Sequence, residues 1–156
     1  MTLPKTKHRP RTTLKGFTLI ELLLVGAVLA VLATIFVANF SGSQRRARDA
    51  QRRSDIRQYQ TGLEVYANNN NGNYPTVGTI AALCTSLAFP ACPNDPQGTN
   101  PYGYSASASQ YVLWARLEAP EGSPSAPVYF VTCSNGRSGT RPQSGWSNPS
   151  GGTCPL

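Results

Sequence analysis

Histidine and lysine are almost missing from this chain of 156 residues. The one histidine is His8, and no lysine follows Lys15. Imidazole general bases, Cys/His zinc sites and Schiff-base lysines are thus unavailable to the body of the chain. A Ser-His-Asp or Cys-His enzyme is excluded, and only a carboxylate-only or serine-only mechanism is left open. Acid is scarce as well, with seven Asp/Glu against 14 Lys/Arg and a formal net charge of +7.

That charge is unevenly placed. Residues 1–16 hold Lys5, Lys7, Arg9, Arg11 and Lys15 with no acid. Residues 41–68 hold six arginines against Asp49, Asp55 and Glu64. Residues 69–156 balance Arg116, Arg137 and Arg141 against Asp95, Glu118 and Glu121. A neutral C-terminal part argues against a broad phosphate-binding face there, which needs clustered Lys/Arg.

Between the two basic clusters runs FTLIELLLVGAVLAVLATIFVANF, residues 17–40, with Glu21 as its one charge. As a helix it would be about 36 Å long, enough to cross a hydrocarbon core of ~30 Å with some tilt. It is too long for the apolar region of a secretory signal, although Ser41-Gly42-Ser43 offers a small-x-small site after it. Flanking charge nearly ties on orientation. The four cysteines, Cys84, Cys92, Cys133 and Cys154, all follow the run, and an even set in a loop-rich head points to an oxidising side. The N-terminus is therefore placed in the cytoplasm and the head outside.

A carboxylate inside such a run is costly, so Glu21 either snorkels near the interface or has a cationic partner. Its surroundings, Lys15-Gly16-Phe17-Thr18-Leu19-Ile20-Glu21, resemble the prepilin signature of type IV pilins and type II secretion major pseudopilins. The resemblance is strong over residues 12–40. It implies cleavage between Gly16 and Phe17 by a prepilin peptidase on the cytoplasmic side, with N-methylation of Phe17. It implies a homo-oligomeric helical filament in which Glu21 pairs with the Phe17 amine of a neighbour. Such a pair sets register better than it adds stability, because desolvation offsets its attraction. Apolar surface, including Leu19, Ile20, Leu22–Leu24, Val28, Leu29, Ile35 and Phe36, would hold the helices together, with Gly26, Ala27, Ala30 and Ala33 allowing close approach. An assembly ATPase, an inner-membrane platform protein and membrane lipid are the other implied partners.

The fold expected is α+β and pilin-like: a long N-terminal α-helix, half transmembrane and half amphipathic stem, packed on a small antiparallel sheet. The divisions expected are a cleaved leader over 1–16, an assembly helix over 17–40, a stem over 41–68 and a globular head over 69–156. The stem stripe is read as Ala47, Ala50, Ile56, Tyr59, Leu63 and Tyr66. Arg45, Arg46, Arg48, Arg52, Arg53 and Arg57 are read as the opposite face, engaging lipid headgroups first. Pairing with Asp49 or Asp55 of another subunit is the second reading and DNA the third, since no aromatics interleave the arginines. The run Asn68 to Asn71 with Gly72 stops the helix, and the stretch on to Tyr74-Pro75 also resembles small pilins.

In the head, residues 79–87 read as a short helix, 95–104 as a turn leading to a strand, 110–117 and 128–133 as strands, and 118–127 as their connection, for a sheet of three or four strands. Four cysteines allow three connectivities; the pairing expected is Cys84–Cys92 as a local staple and Cys133–Cys154 across the last loop. The relatives often bind calcium in that loop, which needs several oxygen ligands. No acid follows Glu121, so Asp95 and Glu118 are the remaining calcium candidates and the expectation is no cofactor. The closing disulfide is the more pilin-like feature. The rival reading is a membrane-anchored binding or hydrolytic module, with Tyr102, Tyr104, Trp114 and Trp146 exposed as a ligand-stacking set.

Overall fold

The computed structural model describes residues 16–118 and 127–156, without the side chains of 35–39. The basic leader and most of the 118–127 connection, Glu121 included, lie outside the described residues. The chain divides into two units, one before Phe40 and one from Phe40 to Leu156, described here separately.

Helix α1 is assigned over Leu19–Asn69. Thr18 starts it: its hydroxyl accepts the Glu21 amide at 3.3 Å, and its carbonyl accepts the Leu22 amide. Thr18 and Glu21 thus have the spacing of a capping box, with the acid in the first turn where the helix dipole favours it. In the first unit every described side chain of α1 faces outward; Leu19 is 88 % exposed and Leu23 74 %. Among the described residues no helix is long and apolar enough to cross a membrane. The unbroken stretch of described side chains ends at residue 34, about 24 Å from the helix start, and Ile35-Phe36-Val37 continue the apolar run in the sequence.

In the second unit α1 buries a stripe of Asp49, Arg52, Ile56, Tyr59, Leu63 and Ala67. The steps of three and four keep these side chains on one face. This corrects the stripe at its beginning: Ala47 and Ala50 are exposed, and a buried acid and a buried arginine take the phase instead. The helix stops where Asn71 takes a φ of 56° and the Gly72 amide reaches back to the Ala67 carbonyl at 2.8 Å.

A short helix α2, Ile80–Ser86, follows, capped by the Thr79 hydroxyl on the Ala82 amide. Strands β1 (Gly103–Ala106), β2 (Tyr111–Leu117), β3 (Val128–Cys133) and β4 (Ser138–Pro142) form an antiparallel sheet in the order β1-β2-β3-β4. The edge strand β4, SGTRP, carries no apolar alternation, so no strand signal marks it in the sequence.

Both faces of β2 are covered. Tyr111, Leu113, Ala115 and Leu117 join Phe130 against the α1 stripe. Val112 and Trp114 join Val131 and Cys133 on the other face, where Trp146, Cys154 and Leu156 of the C-terminal segment close over them. The disulfides are Cys84–Cys92 and Cys133–Cys154. Gly62 of the stem lets Phe89 lie on the helix: a Cβ there would stand 2.6 Å from the ring. Gly152 has a φ of +74°, and a Cβ would meet the Gln110 carbonyl oxygen at 2.3 Å, so the last loop can lie on the start of β2 only with glycine.

Candidate functional site

Two features carry the chemistry. The first is the start of α1. Gly16, Phe17 and Thr18 precede the helix in non-helical conformation, and Phe17 is 79 % exposed. Glu21 stands in the first turn, exposed, among exposed leucines and isoleucine. The bond between Gly16 and Phe17 is therefore in open chain, ahead of the first helical turn. A contiguous apolar surface of this extent is far more than a soluble monomer leaves uncovered, and marks an interaction surface.

The second is an ion cluster in the second unit. Arg52 is fully buried. Its Nε donates to Asp95 Oδ1 at 2.6 Å, and its Nη1 meets Asp49 Oδ1 at 2.8 Å and Glu118 Oε1 at 2.6 Å. Arg48 grips Glu118 with two bonds, Nε to Oε1 at 3.0 Å and Nη2 to Oε2 at 2.5 Å. Asp49 also accepts the Glu118 amide at 2.9 Å. The second oxygen of Asp95 accepts the amides of Gln97, Thr99 and Asn100. Three segments far apart in sequence are thereby tied together: the stem, the loop at Asp95 and the end of β2.

The electrostatics follow from this packing. Burial works against the Arg52 charge, but its bonds to Asp95, Glu118 and Asp49 outweigh burial and raise its pKa. The same bonds overcome burial at Asp95 and hold its carboxyl below the usual range. The hydrogen bonds from Arg48, opposed by burial and reinforced by Arg52, bring Glu118 down to about 2. Asp95 and Glu118, the calcium candidates, are brought together on the Arg52 guanidinium.

Several sequence readings are corrected here. Arg52 and Arg48 do not belong to an outward arginine face; they point into the head. Arg53 is half-buried, with its guanidinium carbon 5.3 Å from the centre of the Phe130 ring. Asp49 and Asp55 have partners within their own chain, Arg52 for the first and the Tyr102 hydroxyl at 2.6 Å for the second. Tyr102, Tyr104 and Trp114 are buried rather than exposed, and the hydroxyl of Tyr104 is used on the Pro75 carbonyl. Trp146 is half-buried and stacks on Tyr129 at 4.3 Å. The stacking set is thus part of the two cores. Tyr74 packs edge-on to Tyr111, and both hydroxyls reach Glu64 of the stem.

No family model and no solved structure matches the chain. Known proteins do. The type II secretion system core protein G of Dickeya chrysanthemi is 33 % identical over 90 residues, covering 58 % of this chain and 57 % of the relative. The protein of the same name from Klebsiella pneumoniae is 34 % identical over 54 % of this chain and 61 % of its own length. The type IV wide pilus major component PilA4 of Thermus thermophilus is 39 % identical over 44 % of this chain and 53 % of its own. The chain thus spans less than two thirds of the length of these relatives. Across about half of its length, this chain is a homologue of type II secretion core protein G and of type IV pilins.

Proposed function

We propose that this chain is a structural, non-catalytic subunit of a filament, a type IV pilus or a type II secretion pseudopilus. The observation that carries the reading is the bare apolar surface of α1, exposed from Phe17 through Leu32, in a chain whose second unit buries a core of its own. Burial of that surface, at about 25 cal/mol per Å², drives either membrane insertion or association with copies of itself.

The route has both stages. The chain first sits in the inner membrane by residues 17–40, with its N-terminus cytoplasmic and its head outside. A prepilin peptidase cuts between Gly16 and Phe17 and methylates the new amine. An assembly ATPase and a platform protein then move the helix from lipid into the filament. Glu21 there meets the Phe17 amine of a neighbour and fixes the stagger, since a buried charge left unpaired is costly. The capping geometry at Thr18 suits this use, because it keeps Glu21 in the first turn, close to where the new amine forms.

Mass spectrometry of assembled material tests the reading. A chain starting at Phe17 and heavier by one methyl group is expected; assembled chains that retain Met1 would overturn it. Gly16→Leu should leave the uncut precursor in the membrane. Glu21→Ala should lose assembly while the head stays folded. Long surface fibres assign the pilus, and short stubs confined to the envelope assign the pseudopilus.

A further inference from the structure

In the sequence the acids of the stem look placed to neutralise its arginines. In the structure they do not reach its exposed arginines. Asp49 is buried on Arg52, Asp55 holds Tyr102, and Glu64 holds Tyr111. Asp95 and Glu118 are spent on Arg52 and Arg48. Arg45, Arg46 and Arg57 stay exposed, and among the described residues no carboxylate meets them. A second copy of the chain offers them little, because the described carboxylates of its second unit are turned to its own tyrosines and arginines.

We infer that Arg45 and Arg46 form a cationic collar that selects anionic phospholipid headgroups where α1 leaves the membrane. The inference rests on the membrane stage proposed above. Position favours lipid as the occupant. Arg45 and Arg46 follow Phe40, the last residue of the apolar run, by about 8 and 9 Å along a helix. A headgroup layer is about 5–8 Å thick, and long arginine side chains reach along it. Arg57 lies about 25 Å past Phe40 and is beyond that layer. The collar holds the subunit in anionic bilayer and must let go when the helix enters a filament, so headgroup charge sets how readily subunits are drawn out.

The test uses the full chain reconstituted in vesicles of phosphatidylcholine mixed with phosphatidylglycerol, with spin-labelled forms of each lipid. Selection of phosphatidylglycerol over phosphatidylcholine at the protein surface is expected, falling as salt is raised. Arg45→Gln and Arg46→Gln should each lower the selection about fivefold. Arg57→Gln should leave it unchanged. The charge of the leader contributes equally to all these proteins and cancels in the comparison. Equal association of the two lipids would overturn the collar and leave the membrane stage standing. Failure to immobilise either lipid would overturn both. An equal effect of Arg57→Gln would show bulk charge and overturn the collar too. So would salt-sensitive retention of an oligonucleotide that depends on all three arginines, which would assign the row to nucleic acid.

Discussion

Arg52 donates its Nε to Asp95 at 2.6 Å across 43 residues of chain, and both side chains are buried. The same guanidinium holds Asp49 and Glu118, so one cation, helped by Arg48 on Glu118, ties three acids together where the stem, the Asp95 loop and β2 converge. Truncating the shared partner of a buried cluster leaves uncompensated charge. Arg52→Met should therefore destabilise the second unit by about 3–5 kcal/mol. Arg52→Lys should not restore it, since a point charge cannot serve three carboxylates through a planar fork. Urea unfolding of the full chain in detergent measures both; a loss under ~1 kcal/mol for Arg52→Met would contradict the role given to the cluster.

Acid should expose the same cluster. The folded-state values of Asp95 and Glu118 lie below those of the unfolded chain, Glu118 at about 2. A depressed carboxyl contributes stability that is present above its unfolded value, about 4.3 for glutamate, and lost as pH falls toward the folded value. The thermal midpoint should stay level from neutrality to about pH 5 and then fall toward about pH 2. Glu118→Gln should lower the midpoint at neutrality and flatten that slope.

The sequence reveals the periodic and the apolar parts of this molecule, and hides the ionic part. β2 and β3 are legible because VLW and YFV are unmistakable strand residues, and α2 because Thr79 caps it. The first turn of the buried stripe is not legible from hydropathy, because Asp49 and Arg52 fill core positions that apolar periodicity assigns to alanines. One signal was available: extending the stripe of Ile56, Tyr59 and Leu63 backwards by four and then three residues lands on Arg52 and Asp49, an acid and a base one turn apart. Burial of Tyr102 and Tyr104 comes from the core built on the α1 stripe, and that of Trp114 from the C-terminal segment closing over it, contacts with no local signature. β4 escapes notice because it is an exposed edge strand held by backbone pairing to β3.

Alkali should find the tyrosines resistant. Burial raises the phenols of Tyr59, Tyr102, Tyr104 and Tyr111, to about 12 at Tyr59 and further at the others. The Asp55 and Glu64 carboxylates add to the effect at Tyr102 and Tyr111. A raised group contributes stability that is fully present below its unfolded value, about 10, and lost as pH rises through the folded one. Near-ultraviolet titration should show these four phenols ionising late and together with unfolding. Tyr102→Phe should let the remaining transition occur at lower pH by leaving Asp55 without its donor.

The Cys133–Cys154 bond should matter more to the head than Cys84–Cys92. It closes a loop with a separation of 21 residues, against eight for the other. Chain entropy alone gives about 3.4 kcal/mol for the longer loop and about 2.6 for the shorter. The longer bond also anchors the segment whose Trp146 and Leu156 cover the second face of the sheet. Its removal therefore frees apolar surface as well as chain. Cys133→Ser with Cys154→Ser should cost more than Cys84→Ser with Cys92→Ser in urea, and should make Trp146 fluorescence respond before the sheet unfolds. Gly152→Ala, which forces a left-handed residue into the Gln110 carbonyl, should imitate that early response with both disulfides intact. An unchanged tryptophan signal in the Gly152 variant would show that the last loop is not seated on β2 through this contact.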